Sequence, residues 1–144
     1  MAIDPVKITS FTDSHYFLSN FYSCPVLFEG ATYPSAEHAY QAAKIANPDH
    51  RLAILNARSP GVAKRMGQDV TLRPSWDAMR ISVMRTILAA KFNDSGLRAR
   101  LLATGSAELV EGNNWNDTFW GVCRGKGSNH LGRLLMELRE NLRP

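Results

Sequence analysis

The 144-residue chain has little cysteine, no acidic excess and no long apolar run, and each shortage removes a class of function. Its two cysteines, Cys24 and Cys123, are too few and too far apart for a disulfide framework or a zinc cluster, and an intracellular compartment would keep them reduced. Both are read as small packing residues. No histidine has a second ligand at metal spacing; His38 follows Glu37, but no His-Glu-x-x-His pattern exists, so no metal and no cofactor are expected. No apolar stretch approaches the ~20 residues needed to span a bilayer, so no membrane partner is expected. The segment Met1-Ala2-Ile3-Asp4-Pro5 lacks a basic head followed by an apolar stretch, which predicts no secretory leader and, by default, a cytoplasmic location. The Gly-x-Ser-x-Gly elbow is missing and neither cysteine has an identifiable base, so Ser-His-Asp and Cys-His catalysis lack support.

What is present is an ordinary globular composition, 44% hydrophobic and 21% charged, in a length that suits one domain. The formal net charge of +4 is compatible with an anionic ligand. The basic residues are scattered, with Arg51, Arg58, Lys64, Arg65 and Arg73 forming the densest stretch. That spread favours a phosphorylated small molecule over a duplex-binding face, while a nucleic acid presented at a single site stays open. Nothing in the sequence points to an obligate protein partner.

The first third reads as extended structure: Val6-Lys7-Ile8 alternates, Phe17–Tyr22 and Val26-Leu27-Phe28 flank turns, and Glu29-Gly30-Ala31 closes a hairpin onto Thr32-Tyr33. Ser35 then caps a helix running through about Ala46, rich in Ala36, Ala39, Ala42 and Ala43. Further helices are predicted over about 49–57, over 60–66 between Pro60 and Gly67, and over 74–92, where Trp76, Met79, Val83, Ile87 and Ala90 recur as a core-facing stripe. A short helix around Leu97, Leu101 and Leu102, a strand at Leu109-Val110 and a final helix over about 129–142 complete the reading. Strands and helices do not alternate as βαβ units would, so the expectation is a helix-rich α+β single domain, 1–144, with a small antiparallel sheet.

Two segments could carry chemistry. On the helix after Ser35, Glu37, Gln41 and Lys44 fall on one stripe beside Tyr40. Facing water, they are a solvated face; facing a cleft, they offer a carboxylate for proton transfer, an amide for orientation and an amine that burial would make nucleophilic. The second segment, 113–121, mixes Trp115 and Trp120 with Asn113, Asn114, Asn116 and Asp117, a mixture suited to a half-open nucleotide-like site or to a surface loop pinned by its tryptophans. It runs into Arg124-Gly125-Lys126-Gly127-Ser128-Asn129, which is not a Walker A loop; it reads either as a phosphate cradle at a helix start or as a capped glycine turn.

Taken in order, Phe17-Leu18-Ser19-Asn20-Phe21-Tyr22, Tyr33-Pro34-Ser35-Ala36-Glu37-His38-Ala39-Tyr40-Gln41-Ala42-Ala43-Lys44, Ala63–Gly67, Trp76-Asp77, Val83-Met84, Lys91-Phe92, the Leu101–Gly105 and Leu109–Glu111 blocks, Trp115–Gly121 and Gly125–Asn129 resemble the NADAR, or YbiA-like, family over about 11–142. The resemblance implies an N-glycosidase acting at ribose C1 of a ribosylated amine. Its substrate would be a phosphoribosylamino-pyrimidine intermediate of riboflavin synthesis or ADP-ribose attached to guanine in DNA. It also implies that Lys44 forms a Schiff base at C1, that Glu37 moves protons, and that Asp117 binds ribose hydroxyls or assists proton transfer; a second mechanism stays open, in which Glu37 is the general base for water attacking an oxocarbenium-like centre and Lys44 only stabilises charge. Ser19, Asn20 and Gln41 would orient the ligand beside Phe21 and Tyr40. Trp76, Trp115 and Trp120 would form stacking walls, and Lys126, with the backbone of Gly121 and Gly127, would receive phosphate. The expectation is that the residues near position 40 and those near 117 enclose one sugar. Two other readings stay open: a non-catalytic reader of ADP-ribose, and a nucleic-acid-binding module with a steep salt dependence.

Overall fold

A computed structural model describes residues 6–68 and 70–144; Met1–Pro5, on which the leader expectation rests, and Asp69 lie outside the described residues. In chain order the elements are β1 (Lys7–Ile8), a 3₁₀ helix (Asp13–Leu18), β2 (Ser23–Phe28), β3 (Ala31–Ser35), α1 (Ala36–Ala43), α2 (Pro48–Leu55), α3 (Pro60–Met66), α4 (Trp76–Lys91), α5 (Ser95–Ala103), β4 (Glu108–Leu109), β5 (Gly112–Asn113), β6 (Val122–Cys123) and α6 (His130–Leu142). The chain is a helix-rich α+β fold. Its two compact units are Asn20–Lys91, and the described part of 1–19 together with Phe92–Pro144.

In the 20–91 unit, β2 and β3 pair antiparallel, with Phe28 opposite Ala31. Glu29 and Gly30 between them both have positive φ, 46° and 83°, as a tight primed hairpin turn requires. Helix α1 starts where Ser35 Oγ accepts from His38 N–H at 3.1 Å, and its alanines at 36, 39, 42 and 43 are fully buried. Small side chains there let neighbouring elements pack close to this central helix. Helix α2 is capped by Asn47 and α3 by Ser59, each followed by proline at the first helical position. Along α4 the buried residues are Trp76, Met84, Ile87, Leu88 and Lys91, so the core-facing stripe is rotated slightly from the expected Met79 and Val83 positions.

In the other unit, α6 buries Leu131, Leu134 and Leu135, joined in the core by Ile8, Phe17, Leu97, Leu101 and Leu109. Among the described residues, the expected small antiparallel sheet is the β2–β3 hairpin. The pairs β1–β4 and β5–β6 are parallel and two residues long, so they tie distant segments together without extending that hairpin. Residues 13–18, expected to be extended in part, form a 3₁₀ turn entered through Asp13 at φ 52°. Phe17 and Leu18 are buried in it as a local pair, without the alternation of a strand. No helix of the described residues is long and apolar enough to cross a membrane.

Candidate active site

Both ends of α1 are fixed by contacts beyond the helix. At its start, Glu37 N–H donates to the backbone carbonyl of Asn20 at 3.0 Å. His38 Nε2 lies 3.0 Å from Ala57 O, and because a carbonyl only accepts, this nitrogen carries the proton. Ser35 Oγ–H therefore donates to His38 Nδ1, 2.6 Å away. His38 is a structural clamp. At the other end, Arg73 N–H donates to Lys44 O at 2.7 Å and Arg51 Nε to Ile45 O at 2.7 Å. Glu29 pairs with both arginines, at 3.2 and 3.6 Å. Two members of the densest basic stretch are thus committed to terminating α1.

Between these clamps lies the stripe that sequence could place against water or against a cleft. Glu37 is 8% exposed and Gln41 3%, which removes the solvated-face reading. Gln41 Nε2–H donates to Glu37 Oε1 at 2.7 Å. Among the described residues no hydrogen bond reaches Gln41 Oε1 or Asn20 Oδ1, although both atoms are buried. Two buried acceptors without donors are costly, about 1–3 kcal/mol each, and call for hydroxyl or N–H groups supplied by something else. The Asn20 amide nitrogen faces Met84 Sδ at 3.6 Å.

Lys44, the residue closing α1, is half-buried, with its Nζ 5.4 Å from the centroid of the Tyr40 ring. Burial pushes its amine below the usual lysine range; the Glu37 carboxylate opposes that fall, and Lys64 and Arg80 add to it. Tyr40 in turn packs on Trp76, ring centroids 5.5 Å apart at 52°. Gly67, at the end of α3, sits so close to Gln41 that a Cβ there would overlap the amide oxygen. The 20–91 unit therefore gathers a carboxylate, an amide, a desolvated amine and two aromatic rings at one helix face. Phe21 belongs to the same unit, its ring 6.0 Å from Lys64 Nζ.

Sequence reasoning singled out Glu37, Gln41, Lys44, Tyr40, Trp76, Asn20 and Phe21 here but missed Lys64, Gly67 and Arg80. The spacing of Trp76, Arg80 and Met84 at successive i, i+4 positions could have found Arg80, since all three share one face of α4.

Ser19, Trp115, Asp117, Trp120, Gly121, Lys126 and Gly127 belong to the other unit. Asn113 organises its polar loop: Oδ1 accepts from Trp115 N–H and Asp117 N–H at 3.2 and 3.1 Å, while Nδ2–H donates to Asp117 O at 2.9 Å. Asp117 Oδ1 then accepts from Phe119 N–H and Trp120 N–H at 3.1 and 2.9 Å. Phe119, Trp120 and His130 form an aromatic cluster with centroids 4.8, 4.5 and 6.3 Å apart, whereas Trp115 is 55% exposed.

The glycine-rich turn behaves as a turn. N–H groups of Ser128, Asn129, His130 and Leu131 donate to Thr118 O, Gly121 O, Phe119 O and Trp120 O, so the amides entering α6 are used internally. Asn129 does not cap its helix through its side chain; it bridges Glu111 N–H and Leu109 O instead, at 3.0 and 2.9 Å. A Cβ at Gly121 would meet Glu111, and one at Gly127 would meet Gly121, so both glycines serve close backbone approach. The turn also presents the exposed side chains of Arg124 and Lys126.

The family profile described as NADAR domain matches residues 8–143. The chain is 45% identical over 141 residues to N-glycosidase YbiA of Escherichia coli, covering 95% of this chain and 88% of that one. It is 38% identical over 142 residues to a riboflavin biosynthesis protein of Vibrio vulnificus, where the match takes 96% of this chain and 38% of the relative. Among solved structures, the NMR structure of the E. coli protein YbiA superimposes with a TM-score of 0.86 at 43% identity, over 98% of this chain and 87% of that one.

Proposed function

The chain belongs to the NADAR domain family, and from that membership and the α1 site we propose that it is an N-glycosidase cleaving the C–N bond at ribose C1 of a ribosylated amine. The observation that carries this reading is the buried Glu37–Gln41 pair beside the desolvated amine of Lys44. A buried carboxylate and a half-buried amine in one site can share the proton transfers of imine chemistry.

In the opened form of the substrate, C1 is joined to its nitrogen as an imine. The neutral Lys44 amine adds to C1, and the leaving nitrogen, protonated by Glu37, departs as a free amine. C1 is left bound to Lys44 as a Schiff base. Water, deprotonated by Glu37, then adds to C1 and releases the sugar as its aldehyde, returning Lys44. The net change is one water consumed and one amine released. Buried acceptors on Asn20 and Gln41 suit the hydroxyls of a ribose. Tyr40 and Trp76 supply an apolar wall beside the half-buried amine.

Two substrate classes fit this chemistry: a phosphoribosylamino-pyrimidine, and ADP-ribose joined to guanine in DNA. The name of the Vibrio relative favours the metabolite. On the other unit, Ser19, Trp115, Asp117, Trp120, Gly121, Lys126 and Gly127 are carried as candidates for ligand contact. Incubating the protein with both substrates and following the released amine by mass spectrometry tests the proposal. Release from one class identifies it; binding of ADP-ribose without release from either substrate would leave a non-catalytic reader.

A further inference from the structure

Three helices each bring a cation to the surroundings of the Lys44 amine. Lys44 closes α1; Lys64 lies on α3, one turn before the glycine that packs on Gln41. Arg80 lies on α4 between Trp76, which packs on Tyr40, and Met84, which meets the Asn20 amide, so its place on that face is opposite α1. Glu37 is the acid in this group, and its carboxylate is bonded to Gln41. Lys64 and Arg80 also act electrostatically on the Lys44 amine, which puts the charges within reach of one another. Like charges gathered from three separate elements repel, and a bound dianion relieves that repulsion.

We infer that Lys64 and Arg80 form a subsite for the phosphate on C5 of the ribose, setting the sugar so that C1 meets Lys44. This rests on the glycosidase reading for the identity of the sugar, while the anion site itself rests on the cation cluster. Arg80 contributes the planar fork that matches two phosphate oxygens, and Lys64 contributes a point charge whose Nζ lies 6.0 Å from the centroid of Phe21. Repulsion from Glu37 disfavours a phosphate beside the acid and favours one beside Lys64 and Arg80. In the other unit, the backbone amides entering α6 are already bonded to the chain's own carbonyls, which leaves this cluster the better phosphate receptor. The phosphate could be a terminal monoester or the near phosphate of an ADP-ribosyl group, since both sit on the same carbon.

The test is a titration of the full chain, by NMR shift changes, with ribose, ribose 5-phosphate and ADP-ribose. Wild-type protein is expected to bind ribose 5-phosphate more tightly than ribose by at least about ten-fold. Lys64→Met and Arg80→Met should each shrink that ratio by about ten-fold, and Arg80→Lys should restore part of it. Tight binding of ADP-ribose that depends on the same two residues assigns the near phosphate of a diphosphate, and weak binding assigns a monoester. Melting curves check that the variants fold; should Arg80→Met not fold, Lys64→Met decides. Unchanged ratios in folded variants, or a wild-type protein indifferent to the phosphate, would overturn the subsite. A shifted pH profile of Lys44 with unchanged phosphate preference would also overturn it, leaving only an electrostatic role. Phosphate binding through these residues in a protein that releases no amine would sink the glycosidase reading and spare the subsite.

Discussion

Gln41 holds Glu37: its Nε2–H donates to the carboxylate at 2.7 Å across one turn of α1, and both side chains are more than nine-tenths buried. A buried carboxylate in the proton-transfer role proposed for Glu37 needs one fixed orientation, and this bond supplies it. Gln41→Ala should therefore leave the fold intact but lower kcat for amine release by roughly ten- to a hundred-fold, with a smaller change in KM. Steady-state kinetics on the released amine check it. An unchanged kcat would show that Gln41 has no part in positioning the acid.

Gly67 tests the same contact from the other side. Its φ of −76° suits any residue, so the obstacle to a side chain is the Gln41 amide, which a Cβ would overlap. Gly67→Ala is expected to lower stability by about 1–3 kcal/mol and to displace Gln41 from Glu37, so activity falls together with Tm. At Gly30 the space is open but φ is +83°, so Gly30→Ala should cost about 1 kcal/mol through backbone strain alone and leave activity unchanged. Denaturant melts and turnover on the two variants separate the causes.

Lys91 is 1% exposed, and burial pulls its amine down to about 8 from 10.5, with Cys24 opposing the fall. Between those values the unfolded chain binds more protons than the folded one, so stability rises with pH from about 8 to about 10.5. Below pH 8 the folded protein carries the charged amine at a penalty of roughly 3 kcal/mol. Lys91→Met should raise stability at pH 7 and flatten this alkaline rise in the difference between the two proteins. Urea melts at pH 7, 9 and 10 measure it. Parallel curves for wild type and variant would contradict the assignment.

Asp117 has a structural task that separates its oxygen from its charge. Because Oδ1 accepts from the N–H groups of Phe119 and Trp120, Asp117→Asn keeps the acceptor and should retain stability within about 0.5 kcal/mol. Asp117→Ala removes it and should cost about 1–2 kcal/mol. If Asp117→Asn nevertheless loses turnover, the charge serves the reaction. If it keeps full turnover, Asp117 is a loop builder.

Much of this was legible in the sequence where a local rule had no competitor. Pro60 and Gly67 bounded α3, Glu29-Gly30 marked the hairpin, and Ser35 opened α1. The parallel pairs β1–β4 and β5–β6 escaped because two residues carry no periodicity and their partners are distant in the chain. The 3₁₀ turn at 13–18 escaped because its entry depends on Asp13 at positive φ, which composition does not announce. At the site, the stripe of Glu37, Gln41 and Lys44 could be drawn on a helical wheel, but whether it met water or protein depended on tertiary packing. Lys64 was hidden for the same reason. In the glycine-rich turn the residue types suit phosphate, but that the N–H groups of Ser128 to Leu131 bond to the chain's own carbonyls depends on distant backbone that sequence does not place.

The central claim is that the Lys44 amine forms a covalent imine with the sugar. Burial and the nearby Lys64 and Arg80 hold that amine below the ordinary lysine range, while Glu37 raises it. Adduct formation should therefore increase with pH as the amine loses its proton, the rise shifting to higher pH in Lys64→Met, where a lowering charge is gone. The most direct measurement is borohydride reduction during turnover, followed by peptide mass mapping. The account predicts a sugar-phosphate adduct on Lys44 of the wild-type protein and neither adduct nor turnover in Lys44→Met. Full turnover in Lys44→Met, or an active wild-type protein that never yields an adduct at Lys44, would contradict it.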